Sequence, residues 1–133
     1  MTTHELTIRT QKRTELSDIT DRLARLVQES KVQEGILALF VPHTTAAITI
    51  NENADPSVQH DILSELNRII PFTGPYLHTE GNSAAHVKST LVGVSQTLFI
   101  SGGRLALGTW QGVYFCEFDG PRSRKVWVKI IPA

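Results

Sequence analysis

The chain has 133 residues, 41% of them hydrophobic and 20% charged, with thirteen Lys plus Arg against thirteen Asp plus Glu. That size and usage fit one α+β domain spanning 1–133, large enough to fold with no disulfide or structural metal. The charge balance, with basic residues grouped only at Arg122, Arg124 and Lys125, excludes a broad nucleic-acid footprint. The lone Cys116 excludes an internal disulfide, and no apolar run approaches the ~20 residues of a membrane span.

The start, Met1 to Glu5, lacks the cationic and apolar features of a signal peptide, so a cytoplasmic protein without a membrane partner is expected. Residues 5–12 alternate, with Leu6, Ile8 and Thr10 on one face, as in a half-buried strand. Ser17 is placed to cap a helix whose buried positions are Ile19, Leu23, Leu26 and Val27, ending before Gly35. The continuous apolar run 36–41 and the β-rich segment 45–50 are the next strands. Asp55-Pro56 reads as a helix cap followed by proline at the first helical position, with Val58, Ile62, Leu66 and Ile69 as the buried stripe.

Pro71, Gly74, Pro75 and Gly81 make 71–82 an irregular loop, and Ser83 is placed to cap a shorter helix with Val87 and Leu91 buried. The remainder reads as strands 96–101, 105 onward, 113–119 and 125–131, separated by Gly102-Gly103 and Gly120-Pro121 turns. Hairpin-linked strands mixed with helices favour a mainly antiparallel sheet sandwich covered by two or three helices. Cys116, in an apolar stretch with no CxxC partner, reads as a core thiol.

His43, His78 and His86 lie beside polar or glycine-rich turns and are candidates for one site, as metal ligands or proton carriers. Each also has an ordinary reading as a surface or hydrogen-bonded histidine, and their spacing matches no standard zinc motif. His4, at the chain start, and His60, off its helix stripe, are set aside. Gly81, Asn82 and Ser83 precede a helix and could hold an anion on unpaired amides, or could simply form a turn and a cap. Trp110 and Gln111 lie between Gly108 and Gly112, where Trp110 could stack on a flat ring or pack in the core. Asp119 and Arg122 flank a Gly-Pro turn, and Arg122 is a bidentate phosphate donor. The polar stretch Asn51 to Asp55 has enough oxygens for Mg²⁺, although Asp55 has its competing use as a helix cap.

Five segments in order, His43-Thr44-Thr45-Ala46-Ala47, Asn51 to Pro56, Glu80-Gly81-Asn82-Ser83 with His86 and Lys88, Gly108-Thr109-Trp110-Gln111-Gly112, and Cys116 to Arg122, resemble the YjbQ-like family over about residues 5–131. The resemblance implies a compact α+β sandwich assembled as a homotrimer, with a site near the subunit boundary for a divalent metal (Mg or Zn) or an anion. It also implies thiamine-phosphate synthase activity on small phosphorylated metabolites. His86 and Asp119 match the family's His and Asp, and Ala84 departs from the Asp expected there, which implies weaker metal affinity.

In that reaction a thiazole nitrogen displaces pyrophosphate from a pyrimidine diphosphate. Mg²⁺ and Arg122 would offset the developing charge, Gly81 to Ser83 would hold phosphate, Trp110 would orient a ring, and His86 would supply a hydrogen bond or proton. Two other classes compete: a metal-dependent phosphate-ester hydrolase using His43, His78 and His86, and a non-enzymatic trimer binding a metal or metabolite.

Overall fold

The computed structural model describes residues 3–133. In chain order it runs β1 (Thr3–Arg9), β2 (Glu15–Asp18), α1 (Thr20–Ser30), β3 (Gly35–Phe40), β4 (Ala46–Glu52) and α2 (Pro56–Ile69). It continues through α3 (Ser83–Val92), β5 (Ser95–Ser101), β6 (Arg104–Leu105), β7 (Gln111–Glu117) and β8 (Ser123–Pro132). Every strand pair is antiparallel, in a five-stranded sheet ordered β1-β8-β3-β5-β6 and a three-stranded sheet ordered β2-β7-β4. The expected α+β sandwich is therefore what forms.

Alternation along the strands sorts the side chains into layers. Val113 and Phe115 of β7, Ala46 and Ile48 of β4, and Val126, Val128 and Ile130 of β8 fill the core between the sheets with Leu23 and Val27 of α1. Each such buried aliphatic or aromatic side chain contributes about 1.5–3 kcal/mol relative to exposure. A second cluster, Ala47, Ala85, Cys116 and Phe118, packs with Leu63 and Leu66 of α2 and Val92 of α3. Cys116 is the core thiol expected, and burial pushes it up to about 12.

Several local expectations are corrected. The first strand stops at Arg9 rather than residue 12, because the Glu15 carboxylate accepts the N–H groups of Gln11 and Lys12 and turns the chain. Ser17 is no cap: it lies in β2 opposite Phe115, and the helix starts at Thr20, whose N–H and hydroxyl both donate to Asp18. His4 sits within β1 opposite Val128. Asp55 does cap α2, accepting from the Ser57 N–H at 2.9 Å with Pro56 first in the helix. The α2 stripe is only partly covered, however, and Ile69 is exposed.

On α3 the expected buried positions are the wrong ones. Val87 and Leu91 are 45% and 61% exposed, whereas Ala84, Ala85, Lys88 and Ser89 are buried. The hydroxyl of Ser89 donates to the Ala46 carbonyl at 2.6 Å, and the two alanines beside it let the helix approach β4 closely. A polar anchor and a small-residue face thus decide which side of α3 turns inward.

The outer face of the five-stranded sheet carries Ile36, Phe40, Phe99 and Trp127, all exposed, with the Phe40 and Trp127 rings stacked at 5.8 Å. Among the described residues no helix is long and apolar enough to cross a membrane.

Candidate functional site

The loop 71–82 leads into α3 through Gly81, whose φ of 82° lies in the left-handed region that glycine adopts without strain. Asn82 occupies the cap position without a side-chain capping bond, and Ser83 is the first helical residue rather than the cap. The amides of the first turn therefore keep their partial positive charge unclaimed by a side chain. The Asn82 amide instead donates to Asp119 Oδ2 at 3.0 Å, tying the helix start to the turn after β7. Arg122 donates to that same oxygen at 3.0 Å and to the Asp119 carbonyl at 2.7 Å. His78 from the loop meets His86 edge to face, with ring centroids 5.5 Å apart. Two groupings thus meet α3: Asn82, Asp119 and Arg122 at its start, and His78 against His86 one turn further on.

His43 joins them from the far side of α3. An open groove of about 400 Å³ is lined by His43, Thr44, His86, Ser89, Thr90, Gly93 and Val94. His43 Nε2 accepts the Lys125 N–H at 2.9 Å, which assigns its own proton to Nδ1. Burial, then the nearby Arg124 charge, holds it below the ordinary histidine value. This imidazole is neutral and its Nε2 lone pair is already used.

Beneath His43 and Asp119 lies a buried ion pair. Glu117 is fully buried and accepts from Arg124 Nε at 2.9 Å, Thr10 Oγ1 at 2.7 Å and the Asp119 N–H at 3.1 Å. Burial pushes its carboxyl up, but these hydrogen bonds and the Arg124 charge together outweigh that and keep it below the usual range. Arg124 also donates to the Thr45 hydroxyl at 2.8 Å. The pair is a scaffold that holds the Asp119 turn against the Thr45 segment. Gly120 belongs to it, since a Cβ there would lie 2.2 Å from the Lys12 carbonyl and 2.8 Å from Glu117 Cγ.

The remaining predicted residues stand elsewhere in the chain. Trp110 is 63% exposed, and Gln111 closes a turn by accepting the Gly108 N–H at 2.8 Å. Both lie at the start of β7, whereas Asp119 follows its other end, and the strand between them is about 20 Å long at ~3.4 Å per residue. The Asn51–Asp55 stretch is at that distant end too, with Asn51 and Glu52 paired to Gly112 and Gln111, and Asp55 spent on its cap. His60 is on the surface beside Asp61.

Among the described residues, no three His, Cys, Asp or Glu side chains are grouped so as to hold a metal ion. Zn²⁺ takes at least three protein donors, and with His43 committed to Lys125 the His43, His78 and His86 set does not close within one chain.

Sequence reasoning passed over Lys88 as a site residue. It is fully buried, its Nζ has no hydrogen-bond partner among the described residues, and it lies 4.3 Å from the centroid of the Phe72 ring. The Arg13 guanidinium lies 4.0 Å from the same ring. Position 84, where the resemblance leads to an acidic residue, is a buried alanine one turn before Lys88. No signal in the sequence singled it out, because periodicity put Val87 and Leu91 on the buried side, and lysine almost never takes a buried place without a partner.

A model described as UPF0047 protein YjbQ-like matches residues 4–133. The chain belongs to the YjbQ/UPF0047 family. UPF0047 protein MJ1081 of Methanocaldococcus jannaschii is 59% identical, covering 93% of this chain and 90% of that one. UPF0047 protein YugU of Bacillus subtilis is 50% identical, covering 95% and 96%. An uncharacterised family protein from Clostridium acetobutylicum superposes with a TM-score of 0.94 at 54% identity, covering 96% of this chain and 99% of that one. A protein of unknown function from Sulfolobus solfataricus gives a TM-score of 0.94 at 32% identity, covering 99% and 97%. Family membership thus carries the fold with it, while the chemistry has to be argued from the side chains.

Proposed function

We propose that this protein is a thiamine-phosphate synthase-like transferase that joins a pyrimidine diphosphate and a thiazole phosphate. The observation that carries the reading is the placing of Arg122, through Asp119 and Asn82, at the uncapped start of α3, the helix that carries His86 one turn further on. A helix N-terminus with a guanidinium is suited to phosphate, and a histidine beside it is suited to proton transfer.

In the proposed step the thiazole nitrogen lone pair forms a bond to the pyrimidine methylene carbon. The carbon–oxygen bond to the diphosphate breaks, and pyrophosphate leaves with that electron pair. Arg122 and the amides after Gly81 stabilise the charge that builds on the leaving oxygens, and His86 donates a hydrogen bond or proton to them. Asp119 fixes the orientation of Arg122 and Asn82.

A divalent cation enters on this reading with the diphosphate, because Mg²⁺ keeps most of its waters and binds through substrate phosphates. A resident three-histidine centre, which a metal-dependent hydrolase would need, has no support within one chain.

The functional unit is proposed to be a homotrimer. Supporting this are the exposed apolar face of Ile36, Phe40, Phe99 and Trp127, and the distance of Trp110 and Gln111 from Asp119, which a neighbouring subunit's copy could bridge. Turnover of the two substrates by purified protein tests the reading. His86→Asn is expected to reduce it by roughly a hundredfold, the usual loss for a positioned acid or base, with an unchanged melting transition. Absence of product from the parent protein rejects the transferase and leaves a non-enzymatic binding protein.

A further inference from the structure

Lys88 lies in the second turn of α3, and helical side chains lean toward the N-terminus. That lean aims its stem toward the helix start, where Ser83 Oγ and Asn82 Oδ1 are also buried without partners among the described residues. The ammonium is enclosed by the Phe72 ring at 4.3 Å, and Arg13 rests on that ring at 4.0 Å. Two cations therefore converge on one aromatic side chain, and the Lys88 ammonium has no hydrogen-bond partner among the described residues. Burial, then the Arg13 charge, lowers Lys88 to about 8, so it still carries its proton at neutral pH.

A protonated amine without a counter-ion in the interior is unfavourable unless a ligand completes it. Phe72 and Tyr76 are the only residues between 71 and 80 that are not exposed, and the loop meets α3 through Phe72 on Lys88 and His78 on His86. A segment with so little burial opens readily.

We propose that Lys88, with Arg13 and the first-turn amides of α3, binds the phosphate group of a small phosphate ester, and that the Phe72 ring covers this place until the ligand displaces it. For the class of ligand this rests on the transferase reading, but not for its test, which involves no turnover. Phosphate is favoured over carboxylate because two cations and a helix N-terminus match a double negative charge.

Calorimetric titration with inorganic phosphate decides it. The parent protein is expected to bind, Lys88→Met to bind at least tenfold more weakly, and Lys88→Arg to keep part of the affinity. Phe72→Ala is expected to bind several-fold more tightly, because the covering ring is gone, and this variant keeps the test open should Lys88→Met fail to fold. Equal affinity in Lys88→Met, no binding by the parent at millimolar phosphate, or unchanged or weaker binding in Phe72→Ala would each overturn the proposal. Phosphate binding that depends on Lys88 in a protein without turnover would leave this inference standing and reject only the transferase.

Discussion

Replacing Lys88 by Met should stabilise the protein without ligand at neutral pH, an unusual outcome for substitution of a completely buried residue. The folded state holds Lys88 near 8 against an ordinary value of 10.5. Between those two values the unfolded chain keeps the proton and the folded chain releases it, so the Lys88 contribution to stability rises with pH across that window. Below pH 8 both states are protonated and the full penalty is present. The difference between the two values corresponds to about 3 kcal/mol at ~1.4 kcal/mol per pKa unit, and Met fills a similar volume without a charge.

Urea denaturation of parent and variant from pH 7 to pH 10.5 measures this directly. Lys88→Met is expected to exceed the parent by up to about 3 kcal/mol at pH 7, with the gap closing as pH approaches 10.5. Cys116 and Tyr114, both raised by burial first, act with the opposite sign at high pH, but they are common to both proteins and cancel in the difference. A gap that does not change with pH, or a variant less stable throughout, would refute the reasoning, since either result means that Lys88 is not a buried unpaired cation.

Glu117→Gln should cost about 3–5 kcal/mol in the same assay, because it leaves the buried Arg124 guanidinium without its carboxylate. Replacing both partners by Met should recover much of that loss. Light scattering is expected to give the mass of three chains, and Phe99→Lys on the outer sheet face should shift the mass downward. A parent protein that is monomeric at micromolar concentration rejects the shared site with Trp110.

The layout of the fold was legible where a local rule and the tertiary environment agree. Asp55-Pro56 announced α2 because a carboxylate cap and a proline at the first position act within three residues. The apolar run at β3 announced a strand, central between β5 and β8, but its continuity implied burial on both sides, whereas Leu37 and Leu39 face the core and Ile36 and Phe40 are exposed on the outer face. Ser17 misled because β2 is four residues long, too short for alternation to register, and the cap position of α1 falls on Ile19, with Asp18 accepting only from Thr20 beyond it.

The helix face of α3 misled for a deeper reason. Hydrophobic periodicity assumes that apolar side chains choose the buried side. On α3 the choice is made by the Ser89 hydrogen bond to β4 and by the closeness that Ala84 and Ala85 permit, so Val87 and Leu91 turn outward and Lys88 turns in. A sequence in which the local apolar pattern loses to a polar anchor is expected to carry function there, because the burial of an unpaired cation is not a stable choice for folding alone. The rule that concealed Lys88 is therefore the rule whose violation identifies it: the residue on α3 that local reasoning sends to solvent is the one whose ammonium the fold encloses at the start of an uncapped helix beside Arg13.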